Sequence, residues 1–268
     1  MRGHLDKSSP ILLFDSGVGG LSVLAEVRRA LPQAPVIYAA DMAGLPYGTK
    51  TEAQVAARVA GLLGRMSERY RPRLACIACN TASTIALGMV REVLEIPVVG
   101  TVPAIKPAAA LTRSRVIGLL GTDATVRQRY VDELEAAFAS ETELVRHAAP
   151  GLVTLAEAKL RGSPVPHGAV REAVAGLLRH SRSGEIDTVV LACTHFPLLQ
   201  AELQDVFGPA VTLIDGAQGI ARRIADLTAG EKFSRVEPDL AVTTGPLADF
   251  EELRACLDTY GLKRLDKF

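Results

Sequence analysis

Short runs of aliphatic and β-branched residues alternate along the chain with longer stretches in which apolar positions recur every three or four residues, the pattern of strands followed by helices. Residues 11–14 read as a buried strand and 21–31 as the helix after it. Residues 36–40 predict a second strand. The helix that follows carries Val55, Val59, Leu62, Leu63 and Met66 on one face and is entered through Thr49, with Glu52 completing a capping box. A third strand and helix are expected at 74–78 and 81–94, and Val98 with Val99 closes this first series. The segment 100–107 holds Pro103 and Pro107 and shows no period, which marks a crossover. Beyond it the pattern restarts with a strand at 116–120 and a helix through Val126, Tyr130, Leu134 and Phe138. Helices at 153–161 and 167–180 follow, then strands at 187–192 and 211–214, a helix at 220–227, a strand at 240–243, and a last helix through Phe250, Leu253 and Leu257.

The restart is a weak internal repeat. PILLFDSG at 10–17 resembles VIGLLGTD at 116–123, and LACIACNT at 74–81 resembles TVVLACTH at 188–195. The expected fold is therefore α/β, with two similar doubly wound parallel-sheet domains and the active site in the cleft between them. Residues 1–103 with 219–268 would form the first domain and 104–218 the second. In each half a cysteine stands where a buried strand ends, which is where open parallel sheets bind ligands.

Composition narrows the function classes. The 268 residues carry 30 basic and 30 acidic side chains, no Trp and only 4% aromatics, which argues against a nucleic-acid or anionic-membrane partner. No apolar run reaches the length of a membrane span and MRGHLDKSSP lacks the apolar core of a signal peptide, so a cytoplasmic protein with reduced thiols is expected.

Of the four cysteines, Cys79 precedes Asn80, Thr81 and a helix, whose free amides and dipole favour a thiolate. Cys193 has the same expected setting, with Pro197 suited to a first helical position. Taken singly, each is most simply a small buried hydrophobe. As a matched pair, two such thiols suit the transfer of a proton from one face of a stereocentre to the other. Cys76 would point away from Cys79 on an extended strand and reads as core, Cys256 as helix packing. On paper, Cys76, Cys79, Cys193 and His195 would also make a four-ligand zinc set. The glycine loop at 15–20 nearly fits a dinucleotide fingerprint, with Ser22 as its small residue and Asp41 as the ribose-binding acid. Against that, Asp15 puts a carboxylate where a pyrophosphate would approach, and an amino group would suit it better. The turn at 41–48 offers the backbone amides of Tyr47 and Gly48 to a carboxylate.

FDSGVGGLSVL, YAADMAGLPYG, ACNTAS, GLLGT and LACTHFPLL, in this order and spacing, resemble the glutamate racemases of the cofactor-independent aspartate/glutamate racemase superfamily, from residue 11 to about 215. The resemblance implies interconversion of L- and D-glutamate without pyridoxal phosphate, other cofactor or metal, supplying D-glutamate for peptidoglycan. It makes Cys79 and Cys193 the acid/base thiols, one for each enantiomer's α-proton. It assigns substrate binding to Asp15, Ser16, Pro46, Tyr47, Gly48, Asn80, Thr81, Thr122, Thr194 and His195. Asp15, His195 and an acidic residue best matched by Glu157 would assist the thiols. The family often has a cysteine before the proline at 150, where this chain has Ala149. Related aspartate racemases carry an acidic residue where this chain has His195, which favours glutamate. A homodimer is expected. A dinucleotide-dependent enzyme and a non-catalytic amino-acid-binding protein are the rival readings.

Overall fold

In the computed structural model, which describes residues 6–268, the apolar runs pair as parallel strands in two separate sheets. The chain divides into one unit of Met1–Thr101 with Ala217–Phe268 and another of Val102–Gly216. The first unit begins with β1 (Ile11–Asp15), α1 (Leu21–Ala30), β2 (Val36–Ala40), α2 (Glu52–Tyr70), β3 (Leu74–Ile77), α3 (Asn80–Val93) and β4 (Val98–Gly100). The second runs through α4 (Ile105–Leu111), β5 (Val116–Gly121), α5 (Asp123–Val126), α6 (Arg129–Phe138), β6 (Glu143–Ala148) and α7 (Pro150–Leu160). It continues with α8 (His167–Ala173), α9 (Ala175–Leu178), β7 (Thr188–Leu191), α10 (Gln200–Phe207) and β8 (Thr212–Ile214). The chain then completes the first unit with α11 (Ala217–Leu227), β9 (Leu240–Thr243), α12 (Leu247–Glu251), α13 (Arg254–Thr259) and β10 (Arg264–Lys267).

The first sheet has the order β10-β9-β2-β1-β3-β4 and the second β6-β5-β7-β8, with every pair parallel. The stretch β2-β1-β3-β4 thus recurs as β6-β5-β7-β8, and the sequence repeat is a repeat of topology. In each sheet the order switches beside the first strand of the repeat, and the ends of β1 and β3, or of β5 and β7, flank the switch point.

Alternation along each strand decides which helices it holds. Leu12 and Phe14 share a core with Val55, Val59, Leu63 and Met66 of α2 and with Ala82, Ala86 and Val90 of α3. In the second sheet, Val116 and Leu120 pack with Leu152, Val170 and Leu203 from α7, α8 and α10, while Ile117 and Leu119 face Ile105 and Val131 from α4 and α6. No helix among the described residues is long and apolar enough to cross a membrane.

Several expected elements differ in detail. The helix after β2 is capped by Thr51 and Gln54, whose side chains and amides exchange bonds of 3.2 and 3.0 Å. Thr49 instead ends a 3-10 turn and donates to the Pro46 carbonyl at 3.1 Å. The crossover region already contains the start of α4, which accommodates Pro107 because an N–H in a first turn has no intrahelical acceptor. The helix expected through 126–138 breaks between α5 and α6, that at 167–180 breaks at Val174, and the last helix splits into α12 and α13.

Asp187, just before β7, is held by the Thr112 hydroxyl at 2.6 Å and the amides of Arg113 and Ser114 at 2.7 and 2.8 Å, which fixes the turn leading into β5. Burial works to raise its pKa, but these donors outweigh it and bring the carboxyl from 3.8 down to about 2. Because the folded value lies below the unfolded one, the stabilisation is complete above 3.8 and is lost as pH falls through about 2. Asp187→Asn should cost about 1–2 kcal/mol at neutral pH after solvent screening, and should flatten the fall of the urea midpoint with acidification. An acid dependence equal to that of the unsubstituted chain would remove this role.

Candidate active site

Asp15 ends β1 and is fully buried. Its Oδ2 accepts from the amides of Gly17 and Gly20 at 3.3 and 3.0 Å, and the Tyr38 hydroxyl donates to the Gly17 carbonyl at 2.9 Å. A Cβ at Gly20 would lie 3.0 Å from both Asp15 Cβ and Tyr38 Oη, a tight approach that favours glycine here. The amides that a pyrophosphate would need are thus partly taken by the chain's own carboxylate. Asp41, the other half of the dinucleotide reading, is also fully buried and engaged with protein donors. Neither feature of that reading survives.

Cys79 caps α3, at the end of the strand adjoining β1. Its Sγ accepts from the Ala82 amide and from the Ser16 hydroxyl, both at 3.4 Å, with only 6% of the residue exposed. Two donors on the sulfur, at the positive end of a 14-residue helix, favour its anionic form. Asn80 and Thr81 follow, both buried, and Asn80 Oδ1 has no hydrogen-bond partner among the described residues. A buried acceptor left open in this way invites a donor from a ligand. Cys76 is fully buried, and burial, followed by the Asp15 charge, pushes its thiol far above the ordinary range. Among the described residues no group of three or more His, Cys, Asp or Glu is placed to hold a metal ion, and the zinc set does not assemble.

Cys193 follows β7, the equivalent strand of the second unit, but it does not start an α-helix. Phe196–Leu199 form a 3-10 turn and α10 begins only at Gln200. The Leu198 carbonyl accepts from Lys159 Nζ at 2.9 Å, and this bond sets the turn apart from α10. Side chains supply what the helix end does not. Cys193 Sγ lies 3.9 Å from His195 Nδ1, His195 Nε2 lies 3.0 Å from Glu157 Oε1, and Arg161 donates to Glu157 Oε2 at 2.7 Å. Burial works to raise the Glu157 pKa, but the hydrogen bond and charge of His195, then those of Arg161, outweigh it and the carboxyl ends below its usual value. An ionised Glu157 can only accept, so it pairs with Nε2–H and fixes the ring with Nδ1 toward the sulfur. Thr194 is buried beside them. Thr122, after β5, is half-buried and caps α5, accepting from the Thr125 amide at 3.2 Å.

In the turn after β2, Pro46 is exposed, Tyr47 buried and Gly48 half-buried. The Tyr47 hydroxyl donates to Asp41 Oδ2 at 2.5 Å, and its carbonyl accepts from the Lys50 amide at 3.1 Å. Sequence reasoning did not find Arg58 or Thr244, which also hold Asp41, because they lie 17 and 203 positions from it and no local pattern joins them. Arg161 was findable as the residue one helical turn beyond Glu157.

The family model described as Asp/Glu/Hydantoin racemase matches residues 20–224. The chain is 63% identical over 237 residues to a glutamate racemase of Sphingopyxis alaskensis, covering 88% of each. It is 44% identical over 259 residues to that of Escherichia coli O157:H7, covering 96% of this chain and 90% of the other. The crystal structure of Escherichia coli glutamate racemase in complex with L-glutamate and the activator UDP-MurNAc-ala is similar at a TM-score of 0.91 and 44% identity, over 97% of this chain and 98% of that one. Isoform RacE1 from Bacillus anthracis matches at a TM-score of 0.83 and 28% identity, over 98% of each chain.

The two thiol environments are separable by alkylation followed by peptide mapping. Ser16→Ala should slow labelling of Cys79 by roughly three- to tenfold and spare Cys193, while Glu157→Gln should do the reverse. If either substitution slows both thiols alike, the environments are not the independent ones described.

Proposed function

As a member of the Asp/Glu/hydantoin racemase family, with glutamate racemases as relatives over most of its length, the chain is an isomerase, and we propose that it interconverts L- and D-glutamate by passing the α-proton through Cys79 and Cys193. The observation that carries this reading is the pair of thiols at equivalent strand ends of a repeated topology, each provided with its own means of holding or releasing a proton.

In one direction the Cys79 thiolate removes the α-hydrogen, its S–H bond forming as the C–H bond breaks, and the Cys193 thiol donates its proton to the opposite face of the carbon. The other enantiomer runs through the reverse steps, and each turnover exchanges the protonation states of the two sulfurs. The hydroxyl of Ser16 and the amide of Ala82 stabilise the first thiolate. For the second, the Glu157 carboxylate fixes the His195 ring with Nδ1 beside the sulfur, which steadies Cys193 as its proton passes to, or returns from, the substrate carbon.

The α-hydrogen of an amino acid is weakly acidic, so the site must also stabilise the charge that develops on the substrate. In this reading the Tyr47 and Gly48 amides and the hydroxyls of Thr81, Thr122 and Thr194 receive substrate carboxylates. Asn80 Oδ1 and the Asp15 carboxylate receive the ammonium group, which supplies the donor that the open Asn80 acceptor lacks. The chemistry uses no cofactor. The D-glutamate would serve peptidoglycan synthesis in the cytoplasm.

Incubation with L-glutamate in deuterated water tests the two-base path. Early in the reaction the D-product should carry α-deuterium while recovered L-glutamate remains protiated; equally rapid deuteration of the substrate would indicate a single base. Cys79→Ser and Cys193→Ser should each lower kcat/KM by about 10²–10⁴-fold with the circular dichroism unchanged. The loss should be equal in both directions, because enantiomers have equal free energy and the equilibrium constant is fixed at unity. Near-normal activity in either variant removes that cysteine from the mechanism.

A further inference from the structure

We propose that Arg58 is a positioning residue of the racemase site: through its two bonds to the buried Asp41 it holds the 42–48 turn against α3, so that the Tyr47 and Gly48 backbone stands ready for substrate. The inference rests on the glutamate racemase reading.

Asp41 is fully buried and each of its oxygens accepts twice. Oδ1 takes Arg58 Nη2 at 2.6 Å and the Thr244 hydroxyl at 2.5 Å; Oδ2 takes Arg58 Nε and the Tyr47 hydroxyl, each at 2.5 Å. The bonds reach α2, the 42–48 turn and the segment after β9. Thr244 Oγ1 also accepts from the Ala43 amide at 3.1 Å, and the Asp41 amide donates to the Asp15 carbonyl at 2.9 Å. Asp41 therefore joins the turn, through its carboxylate, to the strand end that carries Asp15, through its amide. The planar guanidinium is what allows both oxygens to be held by one side chain.

The turn is folded closely around this pair. A Cβ at Gly44 would lie 2.2 Å from Asp41 Oδ2 and 2.6 Å from Arg58 Nε, so the chain passes there only without a side chain. Tyr47 shares its core with Cys79 and Ala82, and its 3-10 turn packs on α3. A shift of Tyr47 is thus a shift beside the thiol. Arg58 acts through Asp41 and Tyr47, and a third of its side chain faces solvent. The second unit has no equivalent device. Ala149 stands where Asp41 does, donating to the Gly121 carbonyl at 2.9 Å, and has no carboxylate to pair.

Three variants test this in a racemisation assay with both enantiomers, alongside thermal unfolding. Arg58→Met removes both bonds, Arg58→Lys keeps the charge without the fork, and Gly44→Ala leaves both partners while driving a methyl between them. Arg58→Met and Gly44→Ala should raise KM for L- and D-glutamate by about tenfold or more with a smaller change in kcat, and Arg58→Lys should fall between them and the unsubstituted chain. A lowered melting temperature with unmoved KM would assign Arg58 to stability alone and overturn the inference, as would a loss confined to kcat. If the unsubstituted chain turns over glutamate, these outcomes bear on Arg58 only. If it does not, the glutamate reading fails and the inference falls with it.

Discussion

One hydrogen bond in each unit decides where the sulfur stands. The Ala78 amide donates to the Phe14 carbonyl at 2.8 Å, and the Ala192 amide to the Leu120 carbonyl at 2.7 Å. These bonds close the last rungs of two parallel pairs, β1 with β3 and β5 with β7. Parallel neighbours end at the same edge of a sheet, and the next residue on one strand of each pair is a cysteine. The order of strands switches between the two, so the loops leaving them do not cover the edge they share. In the first unit that places Asp15 and Ser16 beside Cys79.

The same topology then surrounds its two thiols with different groups. Cys79 sits among fixed dipoles, the helix end with its Ala82 amide and the Ser16 hydroxyl. Cys193 instead has His195 beside it, with Glu157 and then Arg161 behind the ring. The difference follows from the backbone after each cysteine. α3 starts immediately after Cys79, whereas the proline-containing 3-10 turn after Cys193 delays α10, and α7 reaches across with Glu157 and Lys159 instead.

The elements that were hardest to read share a location. β6 and β10 were not expected, and both are edge strands with partly exposed residues, so their apolar periodicity is faint. The interior strands β1, β3, β5 and β7 are fully buried and stand out as apolar runs. The cap of α2 was displaced from Thr49 to Thr51 because the preceding 3-10 turn uses the Thr49 hydroxyl itself. Asp41 was noticed for its position after β2, yet its role as the centre of a buried network depended on Arg58 and Thr244, which no window of sequence brings near it.

What the amino-acid sequence determined alone was periodic or contiguous: the alternation of strand and helix, the internal repeat, and the cysteines at strand ends with their immediate neighbours. These depend on local spacing, which burial of one face imposes directly on the chain. The tertiary structure decided which donors each sulfur meets, that Asp15 takes the amides of its own glycine loop, and that Asp41 is held by its own turn and by two segments remote from it. A buried polar group must find its partners wherever packing brings them. The choice of partner is therefore a property of the folded chain and leaves little trace in the spacing of its residues.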